Sequence, residues 1–154
     1  MRYLIWAVAI VTYSLLLVGS GGETPEVRAK KLAELKAGTP HTVDSAELAA
    51  LFNMGSKGTD LQRDAKEKEL KGKILSWAGL KVYEVSKSGE SCYKIQTSSS
   101  DAYPGTFIKA CESDDPSIAT LAPNLKTGDL IKVKGFFTGT TMRNFDFEPA
   151  VVGQ

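Results

Sequence analysis

The sequence predicts a mainly β domain: five strands closing into a Greek-key barrel, a short helix between strands three and four, and one or two helices ahead of the first strand. Three observations predict it. Cys92 and Cys111, the only cysteines, lie at equal distances from the centre of the turn-forming stretch Ser98-Ser99-Ser100-Asp101-Ala102-Tyr103-Pro104-Gly105. A long alternating segment after Leu70 carries Gly79 in its interior. Beyond it, the order of periodic segments reads strand, strand, helix, strand, strand.

The hairpin around the turn is the second and third strands, residues 91–97 and 106–111. Side chains alternate between the two faces of a strand, so pairing about the turn centre makes a specific statement. Cys92 opposes Cys111, Lys94 opposes Lys109 and Gln96 opposes Phe107 on one face, while Tyr93 opposes Ala110 and Ile95 opposes Ile108 on the other. One face is apolar and the other mostly polar, the division of a half-buried antiparallel pair. A slip of one residue would mix them. Opposed positions at a non-hydrogen-bonded pair are close enough for a cross-strand disulfide, whose closed loop contributes roughly 3 kcal/mol through the unfolded state. Two free thiols on neighbouring strands are the alternative, and the disulfide requires an oxidising compartment.

The first strand is expected over residues 71–85. Leu75 and Trp77 share a face, and Ala78-Gly79 interrupts the alternation before Leu80, Val82 and Tyr83, as a bulge or bend would. After the hairpin, Asp114-Asp115-Pro116 reads as a helix start, with the aspartates as caps and the helix ending before Pro123 or Gly128. The fourth strand is expected over residues 129–137 and the fifth over 142–148, joined by a loop at 138–141. If they pair, Lys132 and Lys134 are answered by Asp146 and Glu148, a surface pairing worth little.

The amino terminus resembles a secretory signal peptide or a signal anchor over residues 1–20. Arg2 precedes an apolar run over 3–18 broken only by Thr12 and Ser14; small residues follow, with Val18-x-Ser20 as a cleavage site. The run is slightly short of the ~20 residues that span a bilayer, and no cysteine follows it to be acylated. Either reading places the chain in the periplasm or on the outer side of the cytoplasmic membrane, although Arg28, Lys30, Lys31 and Lys36 after the run oppose that orientation.

Residues 21–43 read as a linker with one helix, starting at Thr24-Pro25-Glu26 and bearing a thin stripe of Val27, Leu32 and Leu35. The favoured role is a solvated spacer. A second helix starts at Asp44 or Ser45 with Glu47 as capping-box partner, and Leu48, Ala49, Leu51 and Phe52 as its packed face. It opens the domain proper, residues 44–154. Residues 53–70 are expected as a loop with a helical turn or two near Lys66-Glu67-Lys68-Glu69.

Charge and motif content narrow the function. The chain has 19 basic and 18 acidic residues, and losing the leader removes Arg2 alone, so the domain is no evident polyanion binder. His41, the one histidine, sits in Thr39-Pro40-His41-Thr42, outside the domain. No serine or cysteine can therefore be matched with a histidine base there, and two cysteines cannot fill a zinc site alone. No P-loop or dinucleotide glycine pattern occurs. No enzymatic activity and no cofactor are expected.

Several segments carry a family resemblance. They are Asn53, Glu69-Leu70-Lys71-Gly72-Lys73, Val82-Tyr83-Glu84-Val85, the strand at 92–97, and Leu125-Lys126-Thr127-Gly128-Asp129-Leu130-Ile131-Lys132-Val133-Lys134-Gly135. Over about residues 45–152 the chain resembles bacterial exported proteins of the OB-fold, tRNA-anticodon-binding-like group. The resemblance implies the barrel topology and a ligand face on strands two and three, flanked by the loops at 86–91 and 138–141. That places Lys94, Gln96, Phe107 and Lys109 on the face, with Arg143 beside the second loop. Directly opposed lysines are mildly unfavourable without an acid nearby, which points either to an acidic ligand or to a neighbouring carboxylate such as Glu84 or Glu112.

The expected function is a non-catalytic envelope module that binds a protein, a glycan or a small anion. A nucleic-acid-binding OB domain and a membrane-tethered interference protein are the alternatives. The neutral charge and the single outward aromatic of the hairpin make nucleic acid the weaker partner.

Overall fold

The structure, a computed structural model, describes residues 23–154; the predicted leader at 1–20 lies outside the described residues. Three helices come first: α1 (Pro25–Ala37), α2 (Ser45–Phe52) and α3 (Asp60–Leu70). The strands are β1 (Ile74–Lys87), β2 (Cys92–Thr97), β3 (Thr106–Cys111), β4 (Leu130–Thr141) and β5 (Asn144–Gly153), with α4 (Ile118–Asn124) between β3 and β4. They close into a barrel in the order β1-β2-β3-β5-β4. All contacts are antiparallel except β3 with β5, which run parallel. This Greek-key closure, with the helix between β3 and β4, is the OB-fold.

β1 serves two partners because it bends. Its first half pairs with β4 and its second with β2, and the register shifts between Ala78 and Leu80. Gly79 occupies the bulge at φ +82°, a backbone conformation that a side chain would strain. The barrel interior is aromatic at its centre. The Phe145 ring lies 4.9 Å from Phe52, 5.4 Å from Trp77 and 4.7 Å from Phe137, and all four residues are buried. Phe52 comes from α2, so that helix plugs one end of the barrel.

The hairpin has the expected register from Cys92↔Cys111 to Thr97↔Thr106. Cys92 and Cys111 form a disulfide across a Cα separation of 4.0 Å. Glu112 N–H donates to Ser91 O at 2.9 Å, which makes the neighbouring 92/111 pair a non-hydrogen-bonded one, where side chains come closest.

Five expectations need correction. The segment before β1 is a full helix, α3, instead of one or two turns. Thr59 and Gln62 form a reciprocal capping box at its start, whereas Asp44 caps α2 by accepting from Ala46 and Glu47 N–H without a return bond from Glu47. β4 and β5 extend through the expected 138–141 loop to a two-residue turn at Met142 and Arg143 (φ 50° and 67°). The longer strands change the pairing: Lys132 faces Gly153 and Lys134 faces Val151, not Asp146 and Glu148. Lastly, α1 is not a solvated spacer. Leu35 is fully buried against Ile74 and Phe136, with Val151 beside them, so the helix seals an apolar patch on the outside of the barrel.

The aspartates after β3 also differ from expectation. Asp115 does not cap α4: its carboxylate accepts from Ser117 N–H at 3.0 Å, one residue ahead of the helix, whose N-cap Ser117 makes no side-chain capping bond. Asp114 instead accepts from Arg28 of α1, Nε to Oδ1 at 2.8 Å and Nη2 to Oδ2 at 2.5 Å, and its side chain has no exposure. α4 starts at Ile118 and runs through Pro123, which sits too near the helix end to break it.

Candidate ligand-binding groove

The outer face of β2 and β3 continues onto β5, because the Greek key lays β5 beside β3 with Phe107↔Asp146 and Ile108↔Phe147 as partners. Alternation along β5 buries Phe145 and Phe147 and turns Asp146 and Glu148 outward. The result is a groove of about 300 Å³ whose walls include Ser88, Lys94, Phe107, Lys109, Asp146 and Glu148. Thr138 and Thr141 at the end of β4 close one side.

Its electrostatics are local and paired. The Lys94 ammonium lies 4.1 Å from the Phe107 ring centroid, a cation–π contact, and among the described residues no carboxylate is within ion-pair distance of it. Lys109 Nζ pairs with Glu148 Oε1 at 2.8 Å, and Glu148 also receives Arg28 Nη1 at 3.4 Å. Of the opposed lysines, Lys109 is therefore answered by Glu148 of β5, not by Glu84 or Glu112, while Lys94 rests on the Phe107 ring. The non-polar stem of each lysine spans the sheet while the heads diverge, one to a ring and one to an acid.

Asp146 has a different environment. Thr141 Oγ1 donates to its Oδ2 at 2.6 Å, while Glu67 of α3 approaches the same strand end and accepts from Thr140 Oγ1 at 2.5 Å. Burial pushes the Asp146 carboxyl above the ordinary carboxylate value; the Thr141 bond and Lys94 counter this, and Glu67 adds to it. A raised folded-state value means that this group's contribution to stability is present in full below the unfolded value and is lost as pH rises through the folded one. Asp146→Asn should therefore raise the melting temperature slightly at pH 7 and leave it unchanged near pH 3, as thermal unfolding at both pH values would show.

Of the five predicted face residues, the groove brings together Lys94, Phe107 and Lys109. Gln96 shares the face but lies toward β1, where it pairs with Glu84. Arg143 sits at the apex of the β4–β5 turn, and its charge acts on Asp60 of α3. The residues not anticipated are Asp146 and Glu148, together with Arg28 behind them. Their signal was present, since the predicted alternation of the fifth strand already turned both acids outward. Placing that strand beside β3 instead of only beside β4 would have put them in the groove.

The disulfide borders this groove. Arg28 Nη2 comes within 3.5 Å of Cys111 Sγ, so α1, the bridge and the Lys109–Glu148 pair meet at one end. His41 lies elsewhere: its N–H donates to Ile74 O at 2.7 Å and its Nε2 is 3.4 Å from Lys73 Nζ.

No family model and no curated protein matches the chain. Among solved structures it is similar to a chain of the S. pombe Stn1-ten1 complex, with 12% identity over 53% of this chain and 58% of that chain at a TM-score of 0.38. The chain thus spans somewhat more than half of that neighbour's length. So distant a likeness adds nothing to the topology, and it is the strand order, the parallel β3–β5 contact and the intervening α4 that make this chain an OB-fold domain.

Proposed function

We propose that this chain is a non-catalytic binding module that works outside the cytoplasm, in the cell envelope, and takes a protein segment, a glycan or a small anionic ligand in the β2–β3–β5 groove. The observation that carries the reading is the Lys94–Phe107 pair, a cation without an ion pair among the described residues, set on a half-buried ring in the position where OB-folds receive ligands. Export rests on the leader-like residues 1–20 and agrees with a cross-strand disulfide, which persists in oxidising compartments. The resemblance to the exported tRNA-anticodon-binding-like group points the same way.

A non-catalytic role fits the position of His41, exposed beside Lys73 and remote in sequence from every groove residue. Nucleic acid is the weaker partner because Asp146 and Glu148 share the groove with both lysines. A phosphate backbone would meet two carboxylates for two cations, where strand binders offer a basic track and several stacking rings.

Charge reversal tests the reading. Lys94→Glu with Lys109→Glu should cut crosslinked capture of the native envelope ligand about tenfold while the melting temperature shifts by only a few degrees, since the Lys109 pair is a surface pair. Unchanged capture would move the site off the groove. Micromolar binding of single-stranded DNA that falls steeply with salt would replace the proposed ligand classes with nucleic acid.

A further inference from the structure

The groove's chemistry narrows the ligand, on the reading that the groove is the site: we infer that it takes a charge-sparse acidic glycan, a chain of sugar rings carrying isolated carboxylates. Two cations and two carboxylates line it, so a ligand with charge on every unit gains nothing net from its walls. The remaining polar capacity is the kind that binds hydroxyls. The Ser88 hydroxyl can donate or accept, the Thr138 and Thr141 oxygens can accept although their protons go to Asp146, and the Asp146 and Glu148 carboxylates keep further lone pairs for sugar O–H donors. Lys94, without an acid of its own among the described residues, is the group left for an occasional carboxylate.

Phe107 completes the set. Its ring is half-buried and covered by the Lys94 ammonium at 4.1 Å. A ligand carboxylate that draws Lys94 aside uncovers the ring for the non-polar C–H face of the adjoining sugar, so charge recognition and stacking operate as one event.

A polypeptide fits less well on two counts. Addition of a strand needs a free sheet edge, and along the groove floor β3 is already paired with β5 through Thr106, Phe107 and Ile108. An amphipathic helix needs an apolar trough, whereas here the lining side chains are mostly charged or hydroxylated.

Amide NMR titration of the exported, disulfide-intact protein is the test, with four probes. They are a hexasaccharide alternating glucuronate with N-acetylglucosamine, its carboxyl-reduced counterpart, an acidic decapeptide and a hexathymidylate strand. The acidic hexasaccharide should shift the amides of Lys94, Phe107 and Asp146 with a Kd on the order of 1 mM or tighter. Lys94→Gln should weaken it about tenfold, the worth of one charge-assisted bond. Carboxyl reduction should cost about the same, and the reduced sugar should be indifferent to Lys94→Gln. Phe107→Leu should weaken the acidic sugar more than the reduced one, for which Lys94 keeps the ring covered. If the decapeptide or the thymidylate shifts the groove amides and the sugars do not, the glycan inference falls while the groove reading stands. If no probe shifts those amides, or if all shifts fall elsewhere, both fall.

Discussion

Replacing Arg28 with methionine should destabilise the domain by about 3 kcal/mol in reversible denaturant unfolding. The reason lies in its partner. Asp114 has no side-chain exposure, and among the described residues the Ser113 hydroxyl, at 3.2 Å, is the only side chain besides Arg28 that donates to its carboxylate. Removing the guanidinium strands a buried charge, which costs far more than a surface pair is worth. Arg28 itself is one-fifth exposed, which holds the cost to the lower part of the range for buried pairs. Adding Asp114→Asn to Arg28→Met should recover more than half of the loss, since no charge is then left without a partner. A loss under about 0.5 kcal/mol for the single variant would mean that α1 is not held by this pair.

Phe145→Ala should be costlier still, about 4 kcal/mol, with a drop in melting temperature of roughly 15 °C. Phe145 is fully buried and touches rings from α2, β1 and β4, so its removal opens a cavity where the barrel's plug meets its wall. The surrounding rings cannot collapse into that space without leaving their own contacts. Phe107→Leu on the groove face serves as the contrast. It should cost under 1 kcal/mol, because that ring is half-exposed and carries ligand chemistry instead of packing.

The fold was readable from the sequence where two independent constraints met on the same residues. In the hairpin, the cysteine spacing and the alternation of Tyr93, Ile95, Ile108 and Ala110 both demanded one register, and that register is present. At Gly79, a break in alternation and a glycine marked one bulge. Where only one weak signal existed, boundaries slipped. α3 is polar along most of its length, so apolar periodicity could not announce it; Thr59 and Gln62 at capping-box spacing were the available signal. The β4–β5 turn lacks the glycine or asparagine that usually marks such geometry and places Met142 and Arg143 in the left-handed region instead.

The site was half readable for a related reason. Residues on one hairpin can be placed against each other by counting. Partners from distant segments cannot: Asp146 and Glu148 reach the groove only through the parallel β3–β5 contact, and Arg28 only through the docking of α1. The same non-local wiring changes the meaning of the lysine pair. Lys109 is neutralised by Glu148, which also receives Arg28 of α1, and this leaves Lys94 as the groove's cation for a ligand.

The central claim is that ligand enters between β2, β3 and β5, and site-specific photocrosslinking tests it most directly. A benzophenone side chain is placed in the native exported chain either at Phe107, on the groove wall, or at Leu61, exposed on α3. Adducts should form from position 107 and be lost when Lys94→Glu is added. Adducts from position 61 with none from position 107 would contradict the claim and place recognition on the helical side of the molecule.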